Sequence, residues 1–293
     1  EGMRRAGHHA DVRQIFTART LADLAATAET TSRDVVVPPN LIPPDAERIT
    51  PEMLPLVSLG QDAIDGVVAQ VPGGARNVQD VYPLGPLQEG ILFHHLMNAE
   101  GDTYLLPTLV AFTERDELDR FVATLNVLIA RHDVLRTAVF WESLDEPLQV
   151  VQRHAELVLE APALPAGNVM AQLKHRYDPR RYRIDLRSAP LLRGAVARDP
   201  ANDRWLLLLL AHHLVLDHAT LESLVGEARR IEQGELERLP SVTPYRNFIA
   251  QARLGMAREQ HEAFFRELLG DVHEPTAPFG LSDVQGDGTS VQE

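Results

Sequence analysis

The stretch RWLLLLLAHHLVLDHATLESLV, residues 204–225, constrains this chain more than any other. Its five consecutive leucines are short, apolar and preceded by turn-forming residues, which reads as a buried strand. The adjacent His212 and His213 then emerge where that strand ends, and a helix starts at about Ala219. A strand end followed by a loop and a helix is where open α/β folds place their chemistry.

Three readings of the histidines compete. An imidazole at a strand end can be held near neutrality and serve as a general base. His213, Asp217 and His218 offer a possible zinc set, although H-E-x-x-H is absent and the chain contains no cysteine. The third reading is a core cluster with satisfied hydrogen bonds. Other catalytic patterns are missing: there is no G-x-S-x-G elbow, and VPGGARN is not followed by G-K-[ST]. A histidine base here would act on a nucleophile carried by a substrate, which is the logic of an acyltransferase using an incoming amine or alcohol. Of the other two histidine pairs, His8-His9 precedes a polar turn and reads as solvent-exposed, and His94-His95 ends a helical segment.

Composition narrows the partners. A net charge of −14 over 293 residues argues against nucleic acid, because no basic stripe offsets phosphate repulsion. The absence of cysteine excludes disulfides and thiolate metal sites and fits a cytoplasmic protein. No signal-peptide core or membrane-spanning segment is present, so no membrane partner is expected. The opening EGMRRAGHH, without an initiator Met, reads as the interior of a longer chain.

Three zones separate along the chain. Residues 1–28 carry apolar positions at helical spacing, with Thr20 and Asp23 suited to start a last short helix. Residues 29–77 are Pro-rich and read as a stiff spacer without its own core, apart from a short helix at about 60–70. From Val78 to about residue 270 the patterning is dense. Helices are expected at 85–98, 115–133, 169–180 and 219–235, and over 243–270 as one long helix or two. Strands are expected near 103–114, 135–142 and 147–154, with a hairpin of 191–199 and 204–213 turning at Pro200–Asp203. Strands alternating with helices, some of them adjacent as hairpins, predict an α/β sandwich with a mixed sheet.

Several segments then carry a family resemblance. HHLVLDH at 212–218 resembles the HHxxxDG core of nonribosomal peptide synthetase condensation domains, relatives of chloramphenicol acetyltransferase and carnitine acyltransferase. VYPLGPLQEGILFHH (81–95), RHDVLRTAVF (131–140), YRIDLRSAPLLR (182–193) and TPYRNFI (243–249) resemble the family's other landmarks, in the family's order. Residues 1–28 resemble the closing helices of a peptidyl carrier domain, an all-α remnant. The resemblance implies a chloramphenicol-acetyltransferase-like lobe at 78–270, with 271–293 starting the crossover to a second lobe. It implies His213 as the residue that takes a proton from, or orients, the attacking amine, with His212 packing behind it. It also implies Asp217 as a structural residue paired with Arg136. The chain binds no cofactor of its own in this reading. Its substrates ride on 4'-phosphopantetheine arms of upstream and downstream carrier domains, beside an adenylation domain.

HHLMNAEGD, from His94 and His95 to Gly101 and Asp102, is similar to the extra motif of dual epimerization/condensation domains. One departure is His218 where the family has glycine. With the second lobe absent, the chain alone is expected to be inactive. The competing expectation is a catalytically inactive carrier-docking module, with thioester hydrolysis a weaker third. No metal is expected.

Overall fold

The computed structural model describes residues 18–27, 35–255, 258–274, 276, 277 and 280. The leucine run forms strand β7 (Arg204–His212), flanked on both sides in a four-stranded sheet. Its neighbours are β2 (Leu105–Phe112) and β6 (Leu192–Asp199), both antiparallel to it. The short edge strand β5 (Val158–Glu160) pairs parallel to β6 and makes the sheet mixed. Side chains alternate across a strand, so five leucines must feed both faces of the sheet. Leu206, Leu208 and Leu210 enter the main core with Leu173, Leu186 and Leu191. Leu207 packs on the other side with Leu118 and Val196.

Helices cover this sheet. Helix α4 (Arg115–Arg131) contributes Leu118 to the smaller cluster and Leu128 and Ile129 to the main core. Helix α5 (Val169–Arg176) buries Val169 and Leu173, and its N-cap Asn168 accepts from the Ala171 N–H. The β6–β7 hairpin turns through a 3-10 segment, Pro200–Asn202, as the turn residues predict. A second, antiparallel sheet holds β1 (Val78–Pro83), β4 (Leu148–Gln152) and β3 (Thr137–Phe140), in the order β1-β4-β3. The chain is therefore the mixed α/β protein expected.

One expectation changes. Part of the Pro-rich 29–77 stretch is not a bare spacer. Ile42, Ile49, Leu54, Ile64, Val67 and Val71 are buried and form a second core with Val81, Ala138, Phe140, Leu148 and Val150 of the three-stranded sheet. The sheet needs a cover for that face, and the extended chain with helix α2 (Gln61–Val68) supplies it. The C-terminal segment forms two helices, α7 (Tyr245–Leu254) and α8 (Arg258–Leu269). At the N-terminus, helix α1 (Leu21–Thr27) starts where expected, with reciprocal bonds between Thr20 and Asp23, each 3.1 Å. His8-His9 and the rest of 1–17 lie outside the described residues, as does most of 271–293. Among the described residues no helix is long and apolar enough to cross a membrane.

Candidate active site

Strand β7 ends on His212, and the chain turns at once towards helix α6 (His218–Glu232). The His213 N–H donates to the Tyr104 carbonyl on the residue before β2 at 2.9 Å, extending the ladder by one bond. The His213 ring is half-buried, and its Nδ1 lies 3.0 Å from the Leu216 carbonyl. A carbonyl oxygen only accepts, so Nδ1 carries the proton and the neutral ring keeps its lone pair on Nε2. His213 lines a cavity of about 180 Å³, whose walls include Gln88, Ile91, Leu216, Tyr245 and Phe248. A fixed tautomer whose Nε2 has no hydrogen-bond partner among the described residues, on a ring that lines a cavity, is the arrangement a general base requires.

Gln88 fixes the far side of the turn. From helix α3 (Pro86–Met97), its Nε2 donates to the Leu214 carbonyl at 2.8 Å and to Gln149 Oε1 at 2.9 Å. Its Oε1 accepts from the Gly85 N–H at 2.9 Å. The residue is 6% exposed, so each of these bonds replaces water that the site excludes.

Behind His213 lies a second cluster. Asp102 Oδ2 sits 2.6 Å from His95 Nδ1 and 3.0 Å from His212 Nε2, and Oδ1 accepts from the Tyr104 N–H at 3.0 Å. All three side chains are buried. Burial would push the Asp102 carboxyl up, yet the bonds from His212 and His95 together hold it well below the usual carboxylate range. For His212, burial lowers the pKa against the opposing pull of Asp102. The Leu214 N–H donates to His212 Nδ1 at 3.2 Å, so the proton of the neutral ring sits on Nε2 and points at the carboxylate.

His95, Asp102 and His212 have the composition of a metal site, with ligand atoms within 4.8 Å of one another. The hydrogen bonds argue otherwise. A neutral imidazole that ligates through Nε2 carries its proton on Nδ1, and at His212 that proton would face the Leu214 N–H, donor against donor. The other zinc candidates are not brought together. His213 Nδ1 is engaged by Leu216 O, Asp217 Oδ1 by Thr220 N, and His218 is exposed and pairs with Glu222 at 3.3 Å.

The structure separates the two histidines of the HHLMNAEGD segment. His95 faces inward to Asp102, whereas His94 is exposed, its ring centroid 6.0 Å from that of Tyr104. Tyr104 in turn lies 6.3 Å from the His213 ring, edge to face. Gly101 and Asp102 return the chain to the cluster: the Asp102 N–H donates to Pro179 O at 2.6 Å. Arg183 closes the end of α3 by donating to the carbonyls of His95, at 2.7 Å, and Asn98.

The expected Asp217–Arg136 pair does not form. Asp217 is exposed and caps helix α6, accepting from the Thr220 N–H at 2.7 Å, a bond that lowers its pKa. Arg136 is buried elsewhere, donating to Ile129 O at 3.1 Å, Gln79 Oε1 at 2.8 Å and Gln152 O. Carbonyl and amide oxygens, not a carboxylate, satisfy this guanidinium. Residue 218 is the first of the helix and does not have positive φ, so the backbone there does not call for glycine. Asp217→Ala should cost about 1 kcal/mol of stability, the size of a lost N-cap, and leave Arg136 satisfied. A urea-melt loss of about 3 kcal/mol or more would point to a stranded buried charge instead.

Gln88, Tyr104 and Arg183 were not singled out by sequence reasoning. Gln88 lies in the PLQEG segment, and the only signal for it was a glutamine three residues after a turn glycine, a helix-start pattern.

Residues 78–279 match the family model of the condensation domain. The chain belongs to the condensation-domain family of nonribosomal peptide synthetases. It is 50% identical to malpinin synthetase and 45% identical to malpibaldin synthetase, both of Mortierella alpina, over 99% of its own length. A linear gramicidin synthase of Brevibacillus parabrevis is 31% identical over 88% of the chain. The chain spans only 4%, 5% and 5% of these three relatives. Among solved structures, a selenomethionine crystal structure of a protein called CT superposes with a TM-score of 0.57 at 18% identity, covering 78% of this chain and 51% of CT. The starter condensation domain of a rhizomide synthetase gives 0.50 at 18% identity, covering 67% of this chain and 49% of that one. Both likenesses concern the fold.

Proposed function

We propose that this chain provides the His213-bearing part of a condensation domain that joins two carrier-tethered substrates through an amide bond. The observation that carries this reading is the His213 ring, which lines the cavity, is held through Nδ1 by Leu216 O, and has no hydrogen-bond partner on Nε2 among the described residues. An upstream carrier brings a peptidyl thioester and a downstream carrier an aminoacyl thioester, each on a phosphopantetheine arm. The α-amine attacks the thioester carbonyl, the new C–N bond forms and the C–S bond breaks. The donor arm leaves as a thiolate, and His213 Nε2 takes the proton that the amine gives up and passes it to the departing sulfur. Tethering both reactants makes the encounter effectively unimolecular, and this supplies much of the acceleration beside the base.

The HHLMNAEGD segment supports a finer reading, that the donor residue is epimerized before condensation. Loss of an α-proton from a thioester needs a base near the α-carbon, and His213 is the base facing the cavity. His95 and Asp102 bond to each other and, through the carboxylate, to His212, so this segment serves the donor side by shaping the site instead of supplying a second base.

The test uses the synthetase polypeptide that carries this segment. With an L-configured donor in heavy water, deuterium should enter the donor α-position even when the acceptor carrier is withheld, and the amide product should contain a D residue. An amide product that keeps the L configuration, with no deuterium, removes the epimerization reading and leaves condensation standing. No amide at all, from correctly loaded carriers, favours a docking module.

A further inference from the structure

The buried cluster behind His213 has a geometry that neither packing nor metal binding accounts for. Three N–H groups converge on one carboxylate: His95 Nδ1 and His212 Nε2 on Oδ2, and Tyr104 N on Oδ1. Each partner belongs to a different piece of the site. His95 lies in the last turn of helix α3, which also carries Gln88; Tyr104 precedes β2 and accepts the His213 N–H; His212 ends β7. We propose that Asp102 is the positioning residue of the His213 site, acting through His212 and anchored to helix α3 through His95. This inference rests on the condensation reading above.

The chain of bonds is specific. Asp102 orients the His212 ring, and the ring's Nδ1 accepts the Leu214 N–H. The Leu214 carbonyl accepts from Gln88. The His213 N–H is held by Tyr104 O, and Tyr104 N is held by Asp102 Oδ1. The residues before and after His213, and the strand beside it, are thus referred to one carboxylate. The His213 side chain itself does not touch it. Positioning matters because small displacements of a catalytic group cost large factors in rate.

Asp102→Asn is the informative change because it keeps size and removes one acceptor. If the amide NH₂ takes the Oδ2 place it meets two imidazole N–H groups; if it takes the Oδ1 place it meets the Tyr104 N–H. His212 cannot relieve this by changing tautomer, since its Nδ1 faces the Leu214 N–H. The carboxylate therefore satisfies donors at this position that an isosteric amide cannot.

The experiment compares wild type, Asp102→Asn, His213→Ala and the double variant in the synthetase polypeptide, with carriers loaded beforehand. Asp102→Asn should lower kcat for amide formation about 100-fold while the apparent KM for the acceptor carrier stays within about twofold. The double variant should be no slower than His213→Ala alone, since Asp102 acts through His213. Amide hydrogen exchange supplies a readout that needs no activity: a peptide spanning 211–217 should exchange faster in Asp102→Asn, while one within 204–210 keeps its protection. Unchanged kcat, losses that multiply in the double variant, or faster exchange throughout β7 would each overturn the positioning role. A wild type that forms no amide would defeat the condensation reading instead, and exchange at 211–217 would still decide whether Asp102 holds the turn.

Discussion

His213→Ala should reduce amide formation by the synthetase about 10²- to 10⁴-fold, the range general-base catalysis contributes, while loading of the carriers is unchanged. The ring lines the cavity and its Nδ1 is committed to the Leu216 carbonyl, so Nε2 is the atom left for proton transfer, and alanine removes it. The ring is half-buried and its backbone N–H remains bonded to Tyr104 O, so the variant should keep its fold. Single-turnover assays with both carriers pre-loaded measure the effect without interference from amino-acid activation. Dipeptide formation within about threefold of wild type would mean that tethering alone carries the reaction and that His213 is not its base.

The contrast between His213 and its neighbours shows what local sequence could and could not convey. The strand end was legible because five leucines bounded by turn residues have few alternatives to a buried strand, and a loop must follow it. The tautomer of His213 also depends on a residue only three positions away, Leu216. Partners chosen over long separations were not legible. His212 and Asp102 are 110 residues apart, and nothing in either segment announces the other. The Asp217–Arg136 pair failed for the same reason. An aspartate directly before a helix is a natural N-cap, and that local use won over the distant pairing implied by the resemblance.

The 42–71 segment defeats a reading by periodicity. Ile42 and Ile49 are seven residues apart, a helical spacing, but Pro43, Pro44 and Pro51 keep this stretch from being a helix, so the spacing does not announce a buried face. The burial of Ile42, Ile49 and Leu54 is dictated by the outer face of the β1-β4-β3 sheet, where Val81, Leu148, Val150 and Phe140 need a cover. A segment that forms no regular element can still be core when a sheet elsewhere leaves one face bare. Helix α2, which does have an apolar repeat, was legible within that same segment.

Gly101→Ala should destabilise the chain by about 3 kcal/mol, more than any surface change nearby, because two penalties coincide. Gly101 has φ +71°, a left-handed conformation that alanine adopts only at a cost. A Cβ built there would also lie 2.3 Å from the Arg180 carbonyl oxygen and 2.7 Å from that of Pro179, both backbone atoms that cannot rotate away. The adjacent Asp102 N–H donates to that same Pro179 oxygen, so relief of the clash must pull Asp102 from His95 and His212. The glycine and aspartate of the HHLMNAEGD segment therefore have separable signatures. Gly101→Ala should fail first in stability, with turnover falling as a consequence, whereas Asp102→Asn should fail first in turnover. Urea melts of Gly101→Ala and wild type, read by tryptophan fluorescence, measure the difference. A loss below about 0.5 kcal/mol would show that the 179–180 backbone yields freely and that the close approach is not what calls for glycine.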